Sequence, residues 1–256
     1  MDSMKVYNKI APWYDFMIDW EARIRREDPF FLHLFAEQLS TSILDLGCGT
    51  GEHALHWAEM GYNLVGIDSA KEMIDIAAEK AKAMDLDADF LCLPITDFAS
   101  TLQQQFDMVI CLGNTVSHLL DEFNLKKCFH ETARSLKPTG LAVFHLLNYH
   151  RILEMRLRDF PVKHKVVEDK EYVFLRFYNY QDKVLEFNYI VAIKENGQWT
   201  SKSYQMLHRP WLLEELTALA LESGFHNVMS YGGYAFEGFE TQRSEDLVLV
   251  CDFTEE

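Results

Sequence analysis

The spacing of apolar positions changes twice along this chain. Residues 4–18 put Tyr7, Ile10, Ala11, Tyr14 and Ile18 on one helical stripe, with a break expected at Pro12. Residues 28–39 predict a second helix, with Pro29 in its first turn and Phe30, Phe31, Leu34, Phe35 and Leu39 on its buried side. From residue 42 short apolar runs alternate with amphipathic ones. They predict strand 42–46, a helix near 51–60, strand 63–67, a helix near 70–84, a short strand near 89–93, strand 106–112, a helix near 121–136 and strand 140–147. Ser69 is a candidate N-cap for the helix at 70, with Glu72 at the capping-box position. Strands alternating with helices predict parallel pairing and right-handed crossovers.

After about residue 150 the period drops to two. Segments 164–168, 171–180, 184–194 and 199–208 carry aromatic and β-branched residues at alternate positions, and Asn196-Gly197 is a hairpin signal. This predicts an antiparallel sheet inserted into the parallel one. A helix at 210–223, opened by Pro210, follows, then strands at 225–231 and 245–252.

Composition narrows the classes. The chain has 256 residues, 48% of them hydrophobic, which suits one large α/β domain or a domain with a substantial insertion. No segment reaches the run of about eighteen apolar residues that spans a bilayer. The opening Met-Asp-Ser-Met-Lys-Val-Tyr lacks the apolar block of a signal peptide, so a cytoplasmic location is expected. With 24 basic and 40 acidic residues, the formal net charge is −16. A protein that grips a phosphate backbone usually carries a basic stripe. Here the basic residues are scattered, apart from Arg23, Arg25 and Arg26, so neither nucleic acid nor membrane is an expected partner. The acidity fits a small neutral or cationic substrate, and solubility accounts for it equally. Five cysteines, none in Cys-x-x-Cys spacing, predict reduced thiols. His53 and His56 lie three apart with no third ligand nearby in sequence, so a surface helix is expected there and no metal.

Residues 43–53 carry the first chemistry: Ile-Leu-Asp-Leu-Gly-Cys-Gly-Thr-Gly-Glu-His, with Leu-Val-Gly-Ile-Asp ending at Asp68 soon after. Glycines at 47, 49 and 51 let a ligand approach the backbone. The helix that follows points free N–H groups at the turn. Asp68 is spaced to accept hydrogen bonds from ribose hydroxyls. The spacing is Gly-x-Gly-x-Gly, preceded by Asp45 within the strand. Together these residues resemble motif I of the class I S-adenosylmethionine-dependent methyltransferases, and Asp68 resembles their ribose-binding acid. The alternative is a glycine turn in another nucleotide-binding or purely structural βαβ unit.

Two further stretches extend the resemblance. Residues 106–120 include Ile-Cys-Leu-Gly-Asn-Thr-Val-Ser-His-Leu, which resembles a stretch of the glycine and sarcosine N-methyltransferase group. They do not resemble the Asn/Asp-Pro-Pro-aromatic motif with which DNA and many RNA amino-methyltransferases hold a base. The opening Tyr7-Asn-Lys-Ile-Ala-Pro-Trp-Tyr14-Asp15 resembles a lid over the methionine end of the cofactor in small-molecule methyltransferases. Core packing of an amphipathic helix is the other reading of those tyrosines. Residues 143–153 resemble the same group around Asn148-Tyr149, but Leu147 stands where an arginine would hold a glycine carboxylate. A leucine cannot pair with a carboxylate. Arg176, Arg209 and Arg243 are candidate replacements. The acid that many relatives carry near Pro94 is also missing, leaving backbone around Ile95, or Asp97, to read adenine.

The resemblance implies an α/β, Rossmann-like, seven-stranded, mostly parallel sheet with helices on both faces. Its last strand is antiparallel, and an inserted antiparallel sheet precedes the final helix. The implied divisions are a helical lid (1–40), a cofactor-binding core (41–150), an inserted substrate or lid subdomain (151–209), and a closing helix and strands (210–256). The implied cofactor is S-adenosyl-L-methionine. Its site would comprise Tyr7, Tyr14, Asp45, Gly47, Cys48, Gly49, Gly51, Asp68, Ser69, Met73, Pro94, Ile95, Leu112 and Gly113, with Arg26 of the arginine cluster on its carboxylate. Asn114, His118 and Tyr14 are the catalytic candidates. His118 could take a proton from an amine, or simply cap a loop. Asn114, His118, Tyr149, Arg176, Tyr204, His208 and Arg209 are the substrate candidates. Tyr172, Tyr178 and Trp211 could line the same pocket or merely pack the sheet. The expected activity is methylation of a small molecule, at an amine nitrogen. The rivals are oxygen or carbon methylation of a metabolite, and a binding module without catalysis, which a blocked or apolar substrate cavity would reveal. The inserted sheet could also serve a homodimer.

Overall fold

The computed structural model describes residues 3–254; residues 1–2 and 255–256 of the first and last expected divisions lie outside it. Helix α1 (Ser3–Met17) runs unbroken through Pro12. Proline forfeits one hydrogen bond and crowds the preceding turn. Burial of Val6, Ile10, Ala11 and Met17 along one stripe outweighs that local cost. Helix α2 (Trp20–Glu37) starts well ahead of the expected position, and Pro29 lies in its interior. Asp19 caps it by accepting the Ala22 N–H at 3.1 Å. The charged run at 21–28 hid this start, because little apolar surface marks it in sequence.

The alternating region gives β1 (Ser42–Leu46), α3 (Glu52–Glu59), β2 (Asn63–Asp68), α4 (Lys71–Met84), β3 (Ala88–Cys92), α5 (Ala99–Leu102), β4 (Phe106–Cys111), α6 (Glu122–Ser135), β5 (Leu136–Leu147) and α7 (Tyr149–Glu154). A 3-10 turn occupies Thr115–His118. Then come β6 (Lys163–Val167), β7 (Lys170–Tyr180), β8 (Leu185–Glu195), β9 (Gln198–His208), α8 (Leu213–Glu222), β10 (Asn227–Tyr231) and β11 (Asp246–Asp252). The main sheet has the order β10-β11-β5-β4-β1-β2-β3. Strands from β3 to β5 pair in parallel, and β11 runs antiparallel to both β5 and β10. The sequence-based fold class therefore holds. Connections leave β1 in one direction and β4 in the other, so the C-terminal ends of these two strands flank a switch point, where open sheets bind ligands.

Both faces of this sheet are buried. Leu44, Leu46, Val109 and Phe144 face a layer with Phe129 and Leu216, whereas Ile43, Met108, Ile110 and Val143 face Phe30, Phe31, Phe35 and Trp57. Each such side chain contributes roughly 1.5–3 kcal/mol. The second sheet, β6-β7-β8-β9, buries one face. Alternation along β7 aims Tyr172 and Phe174 at α1, and Tyr189, Val191 and Met206 join them from β8 and β9. Trp199 and Val166 stay exposed.

Two expected helix starts move. Helix α4 has Ala70, not Ser69, at its N-cap, and Asp68 Oδ1 accepts the Ala70 N–H at 2.8 Å. Asn8 of α1 takes the Glu72 N–H at 2.9 Å, so no capping box forms. Helix α8 opens at Leu213 rather than at Pro210, with Glu215 Oε2 accepting the Leu212 N–H at 3.1 Å.

The ring of Phe90 on β3 fills the space left by two missing side chains. A Cβ at Gly66 would lie 2.7 Å from it, and one at Gly51 3.0 Å. Gly66→Ala is expected to cost about 1–3 kcal/mol by overpacking. That corresponds to a fall in melting temperature of about 2–4 °C per kcal/mol. An unchanged thermal melt would refute this packing account.

Candidate functional site

The turn after β1 is fixed by backbone. The N–H groups of Gly47 and Cys48 both donate to the Ile67 carbonyl, at 2.7 and 3.0 Å. The Gly49 N–H donates to Asp68 Oδ2 at 3.1 Å. Gly47 has a φ of +70°, and a Cβ there would sit 2.5 Å from Thr115 Cγ2. Gly49 (φ +56°) has only the Tyr14 ring nearby, at 3.7 Å, so this backbone stays approachable. Gly51 instead caps α3 and packs on Ala77 and Phe90, behind the cavity.

Two cavities meet at this rim. The first, about 190 Å³, is lined by Asp45, Gly47, Cys48, Gly49, Asp68, Ser69, Met73, Pro94, Ile95, Leu112 and Gly113 of the expected cofactor set. The second, about 340 Å³, lies beneath the inserted sheet and takes in Asn114, Arg176 and His208 of the expected substrate set. Tyr7, Tyr14, Arg23, Gly113 and His118 line both.

Several expectations need correction. Arg26 does not line the first cavity; Arg23 does. Arg26 lies one helical turn further on, 5.6 Å over the Tyr234 ring. Tyr149 is buried behind Asn114, whose Nδ2 donates to its hydroxyl at 2.8 Å. Tyr204 lines neither cavity and packs beside Tyr189. Arg209 turns away to pair with Glu215 at 2.9 Å over the Trp211 ring. Arg243 pairs with Glu240, and Asp97 with Lys127 at 3.6 Å. Tyr172 and Trp211 pack in the cores, whereas Tyr178 lines the second cavity. His53 is buried rather than on a surface, 2.8 Å from Glu27, and lines the first cavity. No three His, Cys, Asp or Glu side chains cluster to hold a metal among the described residues. Sequence reading also missed Trp20, Thr96 and Thr115 on the first cavity, and Phe160, Tyr189 and His145 on the second. Inward alternation along β8 signals Tyr189; the others have no local signature.

Burial sets the electrostatics. Asp45 has no hydrogen-bond donor among the described residues. Desolvation, then the nearby Asp68, pushes its pKa up to about 7. Asp68 is raised by burial too, against the pull of its backbone donors. Burial also raises Glu27, but its hydrogen bond to His53 and the charge of Arg23 hold it well below the usual carboxylate range. Burial pushes His118 down to about 4, and His208 well below its ordinary value. His118 Nε2 lies 2.9 Å from the Tyr7 hydroxyl, and His208 Nδ1 lies 2.9 Å from that of Tyr178. The rings of His118 and His208 meet edge to face at 4.6 Å.

Known proteins fit this geometry. A family described as a methyltransferase domain matches residues 43–140, from β1 into β5. A glycine/sarcosine N-methyltransferase of Aphanothece halophytica is 28% identical over 241 residues, covering 91% of this chain and 83% of that protein. Another, from Parasynechococcus marenigrum, is 34% identical over 146 residues, 55% of this chain and only 50% of that protein. An S-adenosylmethionine-dependent methyltransferase structure from Clostridium acetobutylicum superposes with a TM-score of 0.79 at 19% identity, over 97% of this chain and 99% of that one. Residues 43–140 form a methyltransferase domain, and the chain has the fold of S-adenosylmethionine-dependent methyltransferases. The cavity fits the cofactor of this methyltransferase: approachable glycine backbone, a carboxylate at the tip of β2, and a buried acid without a partner.

The low pKa of His118 has a signed consequence. Between its ordinary 6.5 and about 4, the unfolded chain binds a proton that the folded chain refuses. His118 therefore stabilises the fold fully above that window and loses its contribution as pH falls through it. Side-chain NMR should show no titration of His118 between pH 5.5 and 8, and a midpoint above 6 would contradict the burial argument.

Proposed function

We propose that this methyltransferase methylates an amine nitrogen on a small molecule. The observation that carries the reading is the wall common to the two cavities, formed by Tyr7, Tyr14, Arg23, Gly113 and His118. A methyl donor on one side of it can meet an acceptor on the other. The second cavity is neither blocked nor apolar, which argues against a binding module without catalysis. Support for nitrogen comes from the two relatives named glycine/sarcosine N-methyltransferases and from the Leu112-Gly113-Asn114 loop.

In this reading Asp68 accepts from the ribose, and the backbone of Gly47, Cys48 and Gly49 lies along the nucleoside. Pro94, Ile95 and Thr96 border the adenine beside Ser69 and Met73. Arg23 holds the carboxylate of the methionine end, and Asp45 its ammonium. Residues 1–40 act as a lid through Tyr7 and Tyr14, and residues 151–209 form the substrate subdomain. When bound, the sulfonium supplies a methyl group already activated for transfer. The protein's work is to bring the acceptor close, hold its lone pair in line and exclude water. Asn114 orients the acceptor; its amide already donates to Ser117 and Tyr149, which fixes its plane. His118, neutral and only weakly basic, is held at Nε2 by the Tyr7 hydroxyl, shapes the approach of the amine and leaves bulk deprotonation to water.

Three outcomes test this. Calorimetry with S-adenosylhomocysteine should show binding that weakens at least tenfold in Asp68→Ala, with a melt run alongside because Asp68 also caps α4. Absence of heat with folded wild-type protein would end the proposal. At pH 6 the Asp45 carboxyl is mostly protonated, and a ligand ammonium favours its ionised form. Binding should then release close to one proton, read as a buffer-dependent heat that vanishes in Asp45→Asn. Finally, mass spectrometry after incubation with S-adenosylmethionine and a panel of small amines should find a product 14 Da heavier, on the order of one methylene. Methylation confined to hydroxyl compounds would move the assignment to oxygen.

A further inference from the structure

Arg23 and Arg26 pair with Glu27, Arg134 with Glu131, Arg209 with Glu215 and Arg243 with Glu240. Arg176 has no acid partner among the described residues. Arg151, Arg156 and Arg158 have none among them either, but Arg176 is the described arginine that also has a side-chain nitrogen, Nε, buried without a hydrogen bond. It sits on β7 between Phe174 and Tyr178, on the face turned toward α1, and pairs across the sheet with Tyr189. Its guanidinium lies 5.5 Å over the Phe160 ring. It lines the second cavity with Tyr14, Tyr178 and Tyr189. Asp246, the acid on that wall, lies 3.0 Å from His145.

A cation shielded in this way is costly unless something pairs with it. The groups that act on its charge are the phenols of Tyr189, Tyr14 and Tyr178, and Asp246 is already taken up by His145, so a counter-charge for Arg176 has to come from outside the chain. Phe160 steadies the guanidinium plane, and its rigid fork matches the geometry of an oxyanion. We infer that Arg176 anchors an oxyanion of the substrate, so that the acceptor is a small amine that also carries a carboxylate or phosphate group. The inference rests on the proposed reading of the second cavity as the substrate site. It adds that the anchor lies on the inserted sheet, whereas Asn114 and His118 follow β4 of the main sheet and Tyr7 and Tyr14 come from α1. Leu147, which lines the same cavity from β5, offers the anion nothing. The substrate thus bridges the two sheets, its carbon frame between Tyr178, Phe187 and Met206.

The experiment uses the full chain saturated with S-adenosylhomocysteine, and in parallel the cofactor-free chain. Sodium acetate or inorganic phosphate is titrated at constant ionic strength while the melting temperature is followed. A saturable rise is expected with at least one anion, and whichever acts at lower concentration identifies the group. In R176Q the midpoint should shift at least tenfold upward, with S-adenosylhomocysteine affinity within twofold of wild type. R176K, which keeps the charge without the fork, should shift at least threefold. The inference is overturned if neither anion acts on the wild type, or if R176Q (R176K, should R176Q fail to fold) responds as the wild type does. Failure of S-adenosylhomocysteine to bind would strike the cofactor reading alone, since the cofactor-free titration still reports on Arg176.

Discussion

One carboxylate ties the first crossing together. Asp68 ends β2, and its two oxygens accept the Gly49 and Ala70 N–H groups, joining the glycine turn to the start of α4. Those bonds hold the approachable stretch of backbone in place before any ligand arrives. A carboxylate has about four lone-pair sites, so directions toward the cavity remain open. The cost is desolvation: burial raises the pKa of Asp68, and the charge of Asp68 adds to the burial that raises Asp45 beside it. Two neighbouring buried acids make this end of the cavity hungry for positive charge and for hydroxyl donors.

Helix α1 is the second organising element. One side of it buries Val6, Ile10 and Ala11 against the inserted sheet, while Tyr7 and Tyr14 face the cavities. A polar latch holds its far end. Asp15 accepts from Thr50 at 2.5 Å and from Lys80 at 2.7 Å, and Lys80 also reaches Glu52. Helix α1 thereby links the inserted sheet to the main one and touches both cavities, beside the direct packing of Tyr178 and Leu185 into the main core.

Much of this was legible in sequence, and the reason is local. Strand and helix periods across 42–147 follow directly from double-sided burial, and the glycine turn announces itself because its chemistry is contiguous. The failures have equally physical origins. Ser69 looked like a cap, but the longer reach of Asp68 took the Ala70 N–H. The start of α2 is hidden because Asp19 supplies it with a cap and not with apolar surface, and nothing local distinguishes Arg23 from Arg26 within the cluster. Arg209 and Tyr204 resembled cavity residues by position, yet a nearby acid, Glu215, claims one and sheet packing the other. Such choices between equivalent side chains depend on contacts far away in sequence.

The Phe90 ring joins three positions that never adjoin in the chain. It occupies the volume that side chains at Gly51 and Gly66 would need. Substitutions at these sites are therefore not independent. A larger residue at Gly66 becomes tolerable only where Phe90 has shrunk, and Gly51 keeps a second restraint because its φ of +82° excludes most side chains whatever the space. Among close relatives, positions 66 and 90 should accordingly vary as a pair with position 51 held constant, so that a stretch read as ligand chemistry also records an exchange of bulk between neighbouring strands.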